Sequence, residues 1–178
     1  MCASVTLHPD DQAAQIELNA MLAGLRRSSG LSPDAYAQRL GVSASAVSYM
    51  ERNPAPNLRI GTIEGRAVIV RRTLTITVHG LPNVADDPYV AFIARRTATT
   101  PEGRAENTAA WIIGYCDAVR QALGLTNEAV AGRMGITRAA VSRFHTNPIP
   151  TMLLGTAQRY ARALGGHLQP QLIRLETS

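Results

Sequence analysis

The 178-residue chain contains no lysine; all 18 of its basic residues are arginines. A P-loop lysine, a Schiff-base or pyridoxal-phosphate lysine and a Ser-Lys dyad are thereby excluded. Aromatic residues make up only 4% of the chain, so its core has to be aliphatic and small. Cysteine is scarce too: Cys2 and Cys116 stand too far apart in sequence to read as a metal pair or a disulfide framework, and a reducing cytoplasmic compartment is expected. No uncharged apolar stretch reaches 18 residues, and the opening MCASVTLHPDDQ has neither a basic nor an apolar signal region. A soluble, unexported protein without membrane contact is expected. The four histidines show no metal-ligand spacing, no glycine-rich loop follows a strand, and no serine-centred elbow is present. No metal, no cofactor and no catalytic activity are therefore expected.

The apolar fraction is 46%, normal for a globular chain, and the 18 arginines against 13 acids leave a net charge of +5. A basic balance of this kind points to a polyanionic partner without proving one. Abundant alanine beside missing lysine resembles the codon usage of a GC-rich bacterial genome or its phages.

The chain also repeats itself. Shifting it by 94 residues aligns 18–81 with 112–175 without a gap, and 18 of the 64 pairs are identical. The identities fall on glycines, prolines and buried-looking positions: Gly30/Gly124, Ala37/Ala131, Gly41/Gly135, Val47/Val141, Pro54/Pro148 and Gly61/Gly155. Charge follows the same division, with eight arginines against four acids in 16–81, seven against three in 111–178, and three against four in 82–110. The expected organisation is two modules, 1–81 and 105–178, joined by a connector, 82–104, that holds a short helix at Asp87 to Arg96. More than 20 connector residues can extend to about 70 Å, so the connector leaves the relative placement of the modules open.

Within each module the apolar spacing is helical. Leu18, Leu22 and Leu25, like Ile112, Cys116 and Val119, make a core-facing stripe. Gly30 and Gly124 are placed to end this first helix in the left-handed conformation. Ser32 with Pro33 and Asp34, and Thr126 with Glu128, then open a second, short helix. Gly41 and Gly135 end it; Ser43 and Thr137 cap a third; Asn53-Pro54 and Asn147-Pro148 close that one. A fourth helix follows at about 58–72 and 152–164. Beyond it Leu74-Thr-Ile-Thr-Val78 alternates as a strand does, and Leu168 to Leu175 is a weaker counterpart that Pro170 confines to an edge. A lone strand needs a partner, which is either the other strand of the chain or a strand of a second chain.

The two stretches SPDAYAQRLGVSASAVSYMERNP, at 32–54, and TNEAVAGRMGITRAAVSRFHTNP, at 126–148, each join two short helices through a glycine turn, the helix-turn-helix arrangement. Ala37 and Ala131 permit a close crossing, and Val47 and Val141 wedge the third helix onto the second. Tyr36, Leu40, Val42 and Met50, or Val130, Met134, Ile136 and Phe144, complete the apolar side. On the third helix, positions 44, 45, 48, 49 and 52 share the opposite face. Arg26 and Arg120 read as helix-dipole partners or surface charge rather than base readers. Arg39 and Arg133 read equally as phosphate contacts or as cover for the second helix. His145, in the place of Glu51, reads as a surface histidine, and Cys116 as a core thiol.

On these residues the chain resembles the lambda-repressor-like, Xre/Cro family of helix-turn-helix proteins. The resemblance runs from the first helix through the fourth in each module, and TAQRYARALGGHL resembles the ending of members, many of them antitoxins, with a C-terminal dimerising strand. It implies an all-α fold class: tandem duplicated lambda-repressor-like helix-turn-helix bundles, each followed by a short β-strand. It also implies that the third helix enters the DNA major groove. The DNA-contacting candidates are then Ser43, Ala44, Ser45, Ser48, Tyr49 and Arg52 in the first module, with Asn127, Thr137, Arg138, Ala139, Ser142 and Arg143 in the second. Where the family often carries glutamine at the start of the second helix, this chain has Pro33 and Asn127. Arg138 and Arg143 suit bidentate contacts to guanine, whereas the hydroxyls and Tyr49 suit phosphate or thymine methyl groups.

The expected function is a sequence-specific, double-stranded-DNA-binding transcriptional regulator, a repressor that acts as a single-chain pseudo-dimer with two non-identical reading helices. The alternative is an antitoxin-like or scaffold protein that holds a protein partner through the fold and its terminal strands, with a homodimer through those strands also open.

Overall fold

The computed structural model describes residues 7–53, 58–146 and 152–175, without the side chains of 145 and 146. Cys2, Pro54, the His145 side chain and the Asn147-Pro148 helix stop lie outside this set.

Capping residues set the helix boundaries. Helix α1 (Pro9–Ser28) opens on a proline whose missing N–H costs nothing there, with Asp10 and Asp11 in its first turn. Helix α2 (Pro33–Leu40) is capped by Ser32, whose hydroxyl accepts from the Ala35 N–H at 3.1 Å. Helix α3 (Ala44–Arg52) is capped by Ser43, which accepts from the Ala46 N–H at 3.2 Å. Helix α4 (Ile60–Ile69) and strand β1 (Arg72–His79) follow, then α5 (Pro88–Ala94), capped by Asp87. The order then recurs: α6 (Pro101–Ala122), α7 (Asn127–Met134), α8 (Arg138–Thr146), α9 (Leu154–Ala163) and strand β2 (His167–Arg174).

Helices α6 and α4 differ most from expectation. Helix α6 begins at Pro101, inside the stretch read as connector, because Thr100 caps it and Pro101 and Glu102 occupy its first turn. Helix α4 is shorter than expected: Arg59 is held extended in a bridge with Leu153, and Arg71, at φ 55°, turns the chain from helix into strand.

The strand partner, left open by the sequence, is the other strand of the same chain. β1 and β2 pair antiparallel from Arg72 opposite Arg174 to His79 opposite His167, with Ile76 opposite Pro170. In this two-stranded sheet each strand keeps an outer edge, where a proline is tolerated. Residue 76 thus faces the residue 94 places later, and so does residue 59 in the Arg59–Leu153 bridge.

One apolar cluster runs through both halves. It joins Leu18, Leu22, Ile60 and Ile63 to Ile112, Val119, Leu154, Tyr160 and Leu168, with α4 packed on α6, and α1 packed on β2 and α9. Cys116 is buried in it, and burial pushes its thiol pKa up to about 12. Tyr36, Ala37, Val47 and Val70 form a second, smaller cluster beneath α2 and α3. Their counterparts Val130, Ala131, Val141 and Leu164 belong to the main core. The difference lies at two positions: buried Asn19 and Arg66 occupy the places of Ile113 and Tyr160 and put a polar layer between the small cluster and the rest. Val42, expected on the apolar side, is 41% exposed, whereas Ile136, which follows the equivalent glycine turn, is half-buried against the main core; the small cluster under α2 and α3 does not extend to Val42. Among the described residues no helix is long and apolar enough to cross a membrane.

Candidate nucleic-acid interface

The two helix pairs are built by the same local rules. Gly41 and Gly135 adopt φ of 71° and 66°, the left-handed region that glycine enters without a Cβ penalty. The turn closes with the N–H of Val42 on the Ala37 carbonyl at 3.1 Å and that of Ile136 on the Ala131 carbonyl at 3.0 Å. Val47 and Val141, buried at 1% and 0% exposure, lock the second helix of each pair onto the first. The opposite face is therefore turned outward.

On α3 that outward face carries Ser45, Tyr49 and Arg52, all exposed, beside half-buried Ala44 and Ser48 and the exposed cap Ser43. The hydroxyls of Ser43 and Ser45 share a hydrogen bond of 2.9 Å. Tyr49 accepts through its Oη from Asn53 Nδ2 at 3.1 Å, and Arg52 Nε donates to the Ser48 carbonyl at 3.1 Å. On α8 Arg138, Ala139 and Arg143 are exposed and Ser142 is half-buried. Thr137 caps this helix by accepting from the Ala140 N–H at 3.2 Å. Asn127 is half-buried at the start of α7, with its Oδ1 lacking a hydrogen-bond partner among the described residues. The sequence-derived residues thus gather on two faces, one dominated by hydroxyls and a phenol, the other by two guanidinium groups.

Arg26 is buried rather than a surface charge, and Arg120 is only partly exposed. Arg26 is 7% exposed and spans three elements: Nε and Nη2 donate to the two Glu51 carboxylate oxygens at 2.6 and 2.9 Å, and Nη1 donates to the Leu31 carbonyl at 2.6 Å. The bidentate bond to Arg26 holds the Glu51 carboxyl below its ordinary range against the opposing effect of burial. Arg120 makes the equivalent bond to the Leu125 carbonyl at 2.7 Å but takes its carboxylate from Asp117, on its own helix. Where Glu51 gives way to His145, Asp117 stands in place of Ala23 and supplies the anion instead. Arg39 and Arg133 are both exposed, and Arg133 donates to the Ala163 carbonyl at 2.8 Å, closing the end of α9.

Beneath α3, beside the expected core residue Tyr36, lie Asn19 and Arg66, which periodicity does not single out. Asn19 donates to the Met50 and Asn53 carbonyls at 2.7 and 3.3 Å, and its Oδ1 accepts from Arg66 Nη1 at 2.6 Å. Tyr36 donates to the Arg66 carbonyl at 2.9 Å. The repeat alignment carried a signal for them, since Asn19/Ile113, Glu51/His145 and Arg66/Tyr160 change polarity at otherwise core-like positions. Among the described residues no three histidine, cysteine or carboxylate groups come together as a metal site.

Short helix, glycine turn, second helix with an outward polar face: this arrangement, in a mostly helical chain with one two-stranded sheet, is that of a helix-turn-helix type of protein. Among curated proteins, a candidate antitoxin, HigA3, of Mycobacterium tuberculosis (strain H37Rv) is 44% identical over 52 residues, which cover 29% of this chain and 48% of that protein. The match thus spans about half the length of that relative. No family model and no solved structure matches the chain.

Proposed function

We propose that the chain is a sequence-specific, double-stranded-DNA-binding transcriptional regulator, a repressor of the Xre-like helix-turn-helix kind, acting in the cytoplasm as a pseudo-dimer within one polypeptide. The strand register carries this reading. The antiparallel ladder sets Ile76 opposite Pro170 near its centre, and a bridge joins Arg59 to Leu153; both of these pairs are 94 residues apart, the same interval that relates the repeated sequences. This pairing supports a local two-fold relation between the halves, in which α3 and α8 address inverted rather than directly repeated half-sites, as the two readers of a symmetric dimer do. The half-sites are non-identical, since Ser45, Ser48 and Tyr49 face one and Arg138, Ser142 and Arg143 the other. Arginine suits guanine through O6 and N7, while hydroxyls suit phosphate.

Selection of binding sites from random duplexes, followed by footprinting and native mass determination, tests the reading. One chain per site is expected, on two unlike inverted half-sites about 34 Å apart. A perfect palindrome bound by two chains through α8 alone would refute the pseudo-dimer.

The name of the mycobacterial relative supports a second reading, in which the chain is an antitoxin that also holds a toxin. Relief of a neighbouring gene product's toxicity by co-expression, retained when Arg138 and Arg143 are both replaced, would favour it.

A further inference from the structure

A cavity of about 460 Å³ lies where the start of α1 meets the ends of α7 and α9. Arg133, Arg159 and Arg162 line it against the single carboxylate of Asp11, with His8 and Met134 beside them. The volume falls within the range of small-molecule sites, roughly 300 to 1,000 Å³. The arginines are only partly used. Arg162 reaches Asp11 through Nε and Nη2 at 3.0 to 3.3 Å, and Asp10 through Nη2 at 3.4 Å, which leaves Nη1 without a hydrogen bond. Arg133 spends Nη1 on the Ala163 carbonyl, and half-buried Arg159 has no hydrogen-bond or ion-pair partner among the described residues. Each guanidinium presents five N–H donors and no acceptor, so the surplus donors call for an anion.

We propose that this cavity binds a small phosphate-bearing metabolite, held by the Arg133, Arg159 and Arg162 guanidinium groups. Planar guanidinium forks match tetrahedral phosphate oxygens in pairs and leave the apolar floor to the rest of the molecule. The site occurs once per chain, because the positions 94 residues before Arg159 and Arg162 are Gly65 and Val68. It also joins the halves: Asp11 and His8 belong to the first, the arginines to the second. Arg133 and Met134 end the helix that leads through Gly135 into α8. The bound anion therefore ties α7 and α9 to α1 and raises DNA affinity by holding α3 and α8 in register, a consequence that rests on the DNA-binding reading.

Titration calorimetry of the full chain with inorganic phosphate, and separately with succinate, tests the site in the absence of DNA. One phosphate per chain is expected, weakened about tenfold or more in Arg159→Gln, the size of one charge-assisted hydrogen bond, and less in Arg159→Lys. The unfolding midpoint of each variant checks that it folds, and Arg159→Lys carries the test if Arg159→Gln does not. Equal binding by wild type and variants, loss of binding on replacing Arg138 and Arg143 instead, or tighter binding of succinate would each overturn the proposal. Fluorescence anisotropy on the selected duplex then reads the coupling, with phosphate expected to tighten DNA binding by wild type but not by Arg159→Gln. A chain that takes one phosphate yet binds no duplex would refute the DNA reading alone; tight DNA binding with an empty calorimetric site would refute the cavity alone.

Discussion

Replacing Glu51 by glutamine isolates the contact that holds the first reading helix in place. The carboxylate accepts twice from Arg26, and the two side chains are only 13% and 8% exposed. Removing one partner of a buried pair costs about 3 to 5 kcal/mol, mostly from the charge left unpaired. Arg26 keeps its bond to the Leu31 carbonyl, so about 2 to 3 kcal/mol is expected in Glu51→Gln. Because the cluster under α2 and α3 is set apart from the main core, the loss falls on local opening of this pair. Native-state hydrogen exchange at neutral pH should show protection of the α2–α3 amides reduced roughly 30- to 140-fold, at about 1.4 kcal/mol per decade, with α7–α8 amides unchanged as the internal reference. The sign with pH follows from the lowered carboxyl pKa. Its stabilisation is complete above the ordinary glutamate value of about 4.3 and is lost as pH falls through the lower native value. Wild-type protection, corrected for intrinsic rates, should therefore collapse in that acid window, whereas Glu51→Gln, already reduced, should show no such limb. Protection within threefold of wild type at neutral pH, or identical acid limbs, would show that the Arg26–Glu51 pair does not hold α3 in place.

Other substitutions test other links. Arg138→Ala and Arg143→Ala should each weaken binding to the selected duplex by about 1 to 3 kcal/mol and relax preference at one position, as read by anisotropy on single-base variants. Binding should fall steeply with salt, because each arginine–phosphate contact releases counterions; a flat log–log plot would speak against phosphate contact. Gly135→Ala should cost about 1 to 2 kcal/mol in urea unfolding through backbone strain alone, since a Cβ there would meet nothing within 4 Å. In a Cys2→Ser background, Cys116 should resist iodoacetamide at neutral pH until the chain unfolds, since its thiol is buried and pushed up to about 12.

What short-range stereochemistry controls is readable from the residues alone. Ser32, Ser43, Thr126 and Thr137 cap helices within three residues of themselves, and Gly41 and Gly135 take a turn that other residues enter only under strain, so the helix pairs and their outward faces were legible. The 94-residue interval was equally plain, because identities at glycine and proline survive without any structure. Tertiary structure decided the rest. Arg26 reads from sequence as a helix-dipole partner or surface charge because its carboxylate lies 25 residues away on another helix. Val42 reads as core from its place on the apolar side, but the small cluster under α2 and α3 stops short of it. Arg133, Arg159 and Arg162 carried no shared pattern until α7 and α9 were folded against α1. Above all, backbone hydrogen bonds bear no label of their partner, and a connector able to reach about 70 Å permits many placements. Only the folded chain sets Ile76 opposite Pro170 and Arg59 opposite Leu153, pairs that no local pattern in the sequence specifies.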